Sequence, residues 1–392
     1  MSTGNRGRPA WINTALVTTA SLILAFVVAM VIMVVTDAEI MAKYAYFIAR
    51  PSDALDATFG KIALTFEAMY VGSLGSVTAL TETTAEAAPL IAAGLGVALA
   101  FRAGLFNIGA QGQAVMGALL GAYLGFSVKG LPLLLHLPLV ILAGVLMGAL
   151  WGGVVGLIKA RTGAHEVILT IMMNYVAANI LSYLLKQPFM REPGASNPIA
   201  PVLEWSATLP RIAGTRLHLG FGLALLAALG CWWLLERTRF GLQLQAVGLN
   251  PDAAATTGTS VGRVTFTTMA LAGGLAGLGG LITVTAPVIL TSYPPQLTVS
   301  IIGTLGFDAI TVALLGRSRP IGVVLAGLLF GALKASRTAM VTIADTPKQL
   351  VDLIQALIVL LVAAPAFVTW LLPFLKERRC GVARTTPKEA KA

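Results

Sequence analysis

The segment Arg102–Gln113, RAGLFNIGAQGQ, breaks two apolar runs with Asn107, Gln111 and Gln113 set among glycines. A neutral amide carries donors and an acceptor, so it can bond hydroxyls or heterocycle edges without a charge being buried. Such residues are candidates for lining a translocation path; they can equally cap and stitch helix ends. Asn174, Tyr175 and Asn179, in IMMNYVAANIL, pose the same choice within another apolar run. The spacing of the two asparagines does not set both squarely on one helical face, so one of them is expected on a path. Asp308, in IIGTLGFDAITVALLGR, is the carboxylate deepest in an apolar run. Insertion scales put about 2.5–3.5 kcal/mol on an acid at a helix centre, so it needs a partner. Following Gly306, it is expected to cap a helix that begins inside the membrane, a structural role, with a proton or cation site as the second reading.

Catalytic chemistry has little to work with. No G-x-x-x-x-G-K-[ST] phosphate loop, H-E-x-x-H, G-x-S-x-G or Cys/His metal spacing occurs, and the Gly60-Lys61 pair lacks the flanking residues of a phosphate loop. The three histidines, His136, His165 and His218, are scattered, and Cys231 and Cys380 form neither a disulfide framework nor a ligand set. No catalytic residue, metal site or cofactor is therefore assigned to this chain. If it drives active transport, the energy comes from another chain or from an ion gradient.

The elements that must position these residues follow from composition. In 392 residues, 57% are hydrophobic and 11% charged, and the mean hydropathy of +0.84 points to lipid as the solvent. The net charge of +10 is carried by short basic clusters between apolar runs, a pattern of membrane loops rather than of a nucleic-acid face. Apolar stretches recur at about Ala15–Val35, Ala87–Ala100, Leu105–Phe126, Pro138–Ile158, Val167–Leu185, Leu217–Leu235, Val264–Ala286, Leu297–Leu315, Ile321–Ala335 and Leu350–Leu372. These predict an all-α, polytopic membrane protein of about ten transmembrane helices. The second, with Pro89, is tilted, broken or extended outward, and the eighth is ambiguous around Gly303 and Gly306. The first is long enough to be retained as a span rather than removed as a signal.

Threaded with both termini in the cytoplasm, the chain puts 16 Lys and Arg inside and 11 outside, in shorter inside loops. This divides it into a cytoplasmic N-terminus (1–14), a single transmembrane domain (15–372) and a basic cytoplasmic tail (373–392). Three connections are long: Thr36–Glu86 and Lys186–Arg216 outside, and Glu236–Gly262 inside. Glycines four apart, at Gly144, Gly148, Gly152 and Gly156 and at Gly273 and Gly277, are expected to let helices of one bundle approach closely.

The inside loop 236–262 predicts a two-turn cytoplasmic helix. Asn250 is its N-cap, Pro251 suits the first turn, Asp252 complements the dipole and Gly258 ends it. Ala253, Ala254 and Ala255 would present a small, smooth surface to another protein.

Here the sequence resembles the permease subunits of ABC importers in the branched-chain amino acid and simple-sugar group, whose coupling helix carries G-x-N-x-x-A-A-x-x-x-G. Gly248, Asn250, Ala253, Ala254 and Gly258 match that pattern. Ala87–Gln113, Ala160–Ala177 and Gly306–Leu333 look like the nucleoside-type branch. The resemblance implies a bacterial inner-membrane importer. It also implies separate ATP-binding subunits that hold ATP and Mg, a second permease subunit (sister chain or self), and an extracytoplasmic lipoprotein or periplasmic protein that delivers solute. It implies a nucleoside substrate, with ribose- or galactose-like sugars as the alternative. Membrane lipid is the remaining partner, and nucleic acid is not one. An ion-coupled secondary transporter would need several membrane carboxylates where only Asp308 fits, and a membrane-embedded enzyme would need a convergent catalytic set.

Overall fold

The computed structural model describes residues 10–286, 296–347 and 349–371, all-α apart from two isolated bridges, Ile199 with Thr298 and Arg211 with His218. The N-terminal residues 1–9 and the basic tail expected at 373–392 lie outside the described residues.

Two helices form the centre, α4 (Val77–Arg102) and α11 (Val261–Thr285). About three-quarters of each apolar window is buried, 78% and 72%, because both are small and apolar on every side, which suits a helix enclosed by others. Around them stand α5 (Ala110–Ser127), α6 (Leu133–Thr162), α8 (Leu219–Arg237), α12 (Leu305–Leu315) and α13 (Pro320–Ala335). On the outside, α7 (Glu166–Leu184) buries only 17% of its window. The glycine ridges pack inside the bundle: a Cβ on Gly148 would stand 2.3 Å from the Gly273 carbonyl oxygen, and one on Gly117 2.5 Å from Gly277 Cα. Backbones that close gain van der Waals contact, which replaces the hydrophobic drive in lipid.

Among the described residues, seven helical segments are long and apolar enough to cross a membrane: those of α1 (Ala10–Thr36), α4, α6, α7, α8 and α11, and α13 continued by α14 (Arg337–Ala344). The other three expected spans are shorter helices, α5, α12 and α15 (Gln349–Ala363, followed by α16, Pro365–Leu371). Two of these three begin later than expected. The expected span Leu105–Phe126 is helical only from Ala110, and Leu297–Leu315 only from Leu305.

The expected loop Thr36–Glu86 is mostly helix: α2 (Ala38–Tyr44), α3 (Pro51–Ser73) and the outward extension of α4 to Val77. Asp53, Asp56, Lys61 and Glu67 lower the hydropathy of α3 and hid it, although it packs along α14. Asp37 caps α2 through Oδ1, which accepts from Glu39 N and Ile40 N, while Oδ2 pairs with Lys61 at 3.1 Å. Burial acts to raise its pKa, and Lys61 with the capping N–H groups outweighs it and holds the carboxyl below its ordinary value.

His218 caps α8, its Nδ1 accepting from Gly220 N at 3.1 Å. Burial, helped by the Arg216 charge, lowers its pKa from 6.5 to about 4. Between those values the unfolded chain binds the extra proton, so the stabilisation is complete above pH 6.5 and is lost as pH falls toward 4. At about 1.36 kcal/mol per unit, this amounts to roughly 3 kcal/mol. His218→Asn keeps a capping acceptor that does not titrate, so in thermal unfolding of purified protein its Tm is expected to drop less than the wild type's between pH 7.5 and 4.5.

Candidate functional site

Two helices begin within the bundle and meet end to end. Before α5, residues 103–109 leave the helical path, and before α12 residues 296–304 do the same. Irregular backbone at membrane depth survives where protein encloses it or it faces a watered cavity. Gln111, in the first turn of α5, bridges the two starts: its Oε1 accepts from Gly306 N and its Nε2 donates to Gly303 O, both at 2.7 Å. Gly306 must lack a side chain there, because a Cβ would lie 2.1 Å from Gln111 N.

The other expected path amides divide into two groups. Asn107 and Gln113 are buried and bonded to each other, Asn107 Nδ2 donating to Gln113 Oε1 at 3.0 Å and Gln113 Nε2 to Asn107 Oδ1 at 3.3 Å. Asn107 Oδ1 also accepts from Gly109 N at 2.9 Å. Asn174 ties α7 to the start of α5, accepting from Gly112 N at 2.8 Å and donating to Ile108 O at 2.9 Å. These three stitch the broken segment. Tyr175 and Asn179 instead face outward from α7, with Asn179 Nδ2 donating only to Tyr175 O one turn back.

Asp308 is placed differently from expectation. It does not cap α12, whose N-cap is Thr304, but stands in the first turn. Its Oδ2 accepts from Lys334 Nζ of α13 at 2.6 Å and from Thr304 Oγ1 at 3.1 Å. Lys334, unnoticed in the sequence at the end of an apolar stretch, supplies the partner the acid requires. Asn174, Gln111, Thr304, Asp308 and Lys334 thus form a polar belt across α7, α5, α12 and α13.

A second cluster lies at the end where α8 finishes. After α9 (Arg239–Leu249), α10 (Pro251–Thr256) forms as expected, with Asn250 Oδ1 accepting from Asp252 N at 3.0 Å and Ala253 N at 3.1 Å. A cap of this kind contributes about 1 kcal/mol. Gly258 has φ +83° just past the helix end. Gly248 lies against backbone, where a Cβ would come within 2.2 Å of the Arg102 carbonyl oxygen. The alanine surface needs correction. Ala253 and Ala255 are exposed, but Ala254 is only 4% exposed. It belongs to a buried cluster with Leu99 and Ala103 at the end of α4, Val264 and Met269 of α11, and Leu244 and Val247 of α9. Helix α9, inside the expected loop, was also missed; its buried face of Gly241, Leu244 and Val247 is short and mixed with exposed Leu242 and Leu249. Nearby, Lys159 pairs with Glu166 at 2.6 Å and Arg102 Nε donates to Ser318 O at 3.0 Å, tying further loops of this end together. No group of three or more His, Cys, Asp or Glu that could hold a metal occurs among the described residues.

Comparison with known proteins places both regions in one frame. A family model described as "Branched-chain amino acid transport system / permease component" matches residues 79–363, from the start of α4 to the end of α15. A guanosine ABC transporter permease protein of Bacillus subtilis is 35% identical over 324 residues, 81% of this chain and 90% of the relative. A glucose ABC transporter permease protein of Haloferax volcanii is 34% identical over 327 residues, 80% of this chain and 82% of the relative. A nucleoside ABC transporter permease protein of Lactococcus lactis subsp. cremoris is 32% identical over 337 residues, 83% and 90% respectively. No solved structure matches the chain.

Proposed function

We propose that this chain, which belongs to the branched-chain amino acid transport system permease-component family, is the membrane-spanning permease subunit of an ATP-driven importer of nucleosides. The observation that carries the substrate is its likeness, over more than four-fifths of its length, to a guanosine and a nucleoside permease protein. The glucose permease relative, of nearly equal identity, makes a simple sugar the second reading.

In this proposal the end bearing α9, α10, Arg237 and Arg317 faces the cytoplasm of a bacterial inner membrane. Residues 15–372 form the single permease domain, flanked by cytoplasmic segments 1–14 and 373–392, and 236–262 is its cytoplasmic coupling loop. ATP and Mg act on separate ATP-binding subunits that dock on Gly248–Gly258, with Asn250 and Pro251 fixing α10 and Ala253 and Ala255 presented to the partner. A second permease subunit, sister chain or self, completes the core, and an extracytoplasmic binding protein delivers solute from the other side. Asn107, Gln113 and Asn174 hold the broken segment, and Gln111, at the start of α5, is the expected amide that lines the path.

Ala254 gives α10 a mechanical connection. Buried where α10 packs on α9 and on the start of α11, it passes a push from the ATP-binding subunits to α11 directly and to α4 through α9. Such a push moves solute only if solute binds the outward- and inward-facing states differently.

The test is uptake of labelled guanosine by cells expressing the chain with its ATP-binding subunits and binding protein, with unlabelled ribose, galactose, glucose or leucine in excess. ATPase-dependent uptake unaffected by the competitors is expected. Failure of guanosine uptake by an assembled complex that takes up glucose would establish the sugar reading, and uptake without the ATPase would overturn the importer class.

A further inference from the structure

The Asp308–Lys334 pair lies where an ion pair is hard to keep. Lys334 is about 21 Å along α13 from Pro320, and Asp308 about 10 Å along α12 from Leu315, at 1.5 Å per residue. Both heads are therefore well removed from the arginine-bearing turn 316–319 that joins the helices, and Lys334 falls inside the candidate span Pro320–Ala344. Neither is sealed: the two side chains are 15% and 16% exposed. Gly303, Thr304 and Phe307 beside them are exposed as well. Hydrocarbon against a half-open ion pair would be costly, and intramembrane charges are tolerated where they face the bundle interior or water.

The unused bonding capacity has a specific form. Both contacts to Asp308 fall on Oδ2, at 2.6 Å from Lys334 and 3.1 Å from Thr304, which leaves Oδ1 to accept. Lys334 spends one of its three N–H donors on this contact and retains others. A carboxylate oxygen next to an ammonium presents an acceptor and a donor side by side with no net charge. Two neighbouring hydroxyls, each able to donate and accept, complement that pair, whereas an anion or a cation meets one repelling partner. The second broken start, held by Gln111 on Gly303 O and Gly306 N, fixes Asp308 one turn away, so the pair sits on the most constrained part of the belt.

We infer that the Asp308–Lys334 pair lines the solute path and takes paired hydroxyl groups of a neutral solute, Asp308 Oδ1 accepting and Lys334 Nζ donating. Combined with the nucleoside reading, on which this last identification rests, the groups are the vicinal hydroxyls of the ribose.

Two measurements test it in the assembled complex. With Cys231 and Cys380 replaced by Ser, Thr304→Cys is treated with a water-soluble, membrane-impermeant methanethiosulfonate, and Ile23→Cys on the outer face of α1 serves as the lipid-facing control. Thr304→Cys is expected to react, with its rate reduced about tenfold by saturating guanosine as the solute shields the thiol, while Ile23→Cys stays inert. A Thr304→Cys that reacts in no nucleotide state, because lipid or the second permease subunit covers it, overturns the inference; so does reaction that no transported solute slows. Protection by glucose and not by guanosine keeps the pair on the path and overturns the nucleoside reading instead.

The second measurement compares turnover of guanosine and 2′,3′-dideoxyguanosine at saturating solute, beyond the capture step of the binding protein. Asp308→Asn is expected to lower guanosine turnover about tenfold and to leave the dideoxy compound much less affected. The double variant Asp308→Leu/Lys334→Met replaces the ion pair by an apolar contact that can hold the two helices but bonds no hydroxyl. If the pair only holds α12 against α13, this variant restores turnover of both compounds equally, and the hydroxyl assignment fails. Recovery of assembly with the discrimination still lost supports it.

Discussion

Ala253→Arg is expected to leave the permease folded and inserted while reducing solute uptake at least about tenfold, an effect of about 1.4 kcal/mol or more on docking or coupling. Ala253 is exposed on α10, and its backbone N–H bonds the Asn250 cap, so a longer side chain extends away from the bundle and, in the proposed assembly, toward the ATP-binding subunit. A docking surface built on small residues has no room for a guanidinium and its three-carbon stem, and a clash at one point suffices to break a close fit. Ala254→Arg should behave differently. That position is buried in one cluster with Leu244 and Val247 of α9 and Val264 of α11, and an unpaired charge forced into such a cluster costs about 3–5 kcal/mol. Purified Ala253→Arg should therefore elute as the wild type does and keep its Tm, with solute-stimulated ATP hydrolysis lost. Ala254→Arg should fail already at expression or in size-exclusion chromatography. Normal uptake in Ala253→Arg would remove α10 from the coupling surface.

That contrast marks how far residue types carry. Asn250, Pro251, Asp252 and Gly258 specify α10 locally, each acting on backbone within a few positions, and the helix forms where they put it. Which alanine of three turns inward depends on how α10 lies against α9 and α11, and nothing within the helix encodes that. The same boundary separates Asp308 from Lys334. An acid in an apolar run announces that a partner exists, but the partner stands 26 residues away on another helix, and a lysine at the end of a hydrophobic stretch reads as a helix terminus. Asn107, Gln111 and Gln113 were legible as a polar interruption. Their division into a buried mutual pair and a bridge to α12 required the long-range approach of Gly306 to Gln111. Helix α3 was missed for a different reason: it carries charge on a helix that packs along α14 at the edge of the bundle, so a hydropathy threshold passes over it.

Gly148→Leu is expected to destroy the fold rather than the transport step. In α6, a Cβ at this position would come within 2.3 Å of the Gly273 carbonyl oxygen and 2.8 Å of Gly277 Cα. Backbone atoms of a central helix cannot turn aside as a side-chain tip can, so α6 and α11 must separate along the whole ridge from Gly144 to Gly156. Overpacking typically costs about 1–3 kcal/mol where neighbours can adjust; separation here also forfeits the close contact that association in lipid depends on. The loss should exceed that range, and detergent-purified protein should aggregate or unfold well below the wild-type Tm. Gly230→Ala is the matched control, since its Cβ would meet nothing within 4 Å and it stands within α8. There the substitution only removes backbone freedom, worth up to about 1 kcal/mol in a helix, so Tm should hold or rise. If Gly148→Leu assembled with normal Tm and uptake, the α6–α11 crossing would be looser than these distances describe. The glycine ridge would then be free to serve as a surface for the second permease subunit instead of an internal seam.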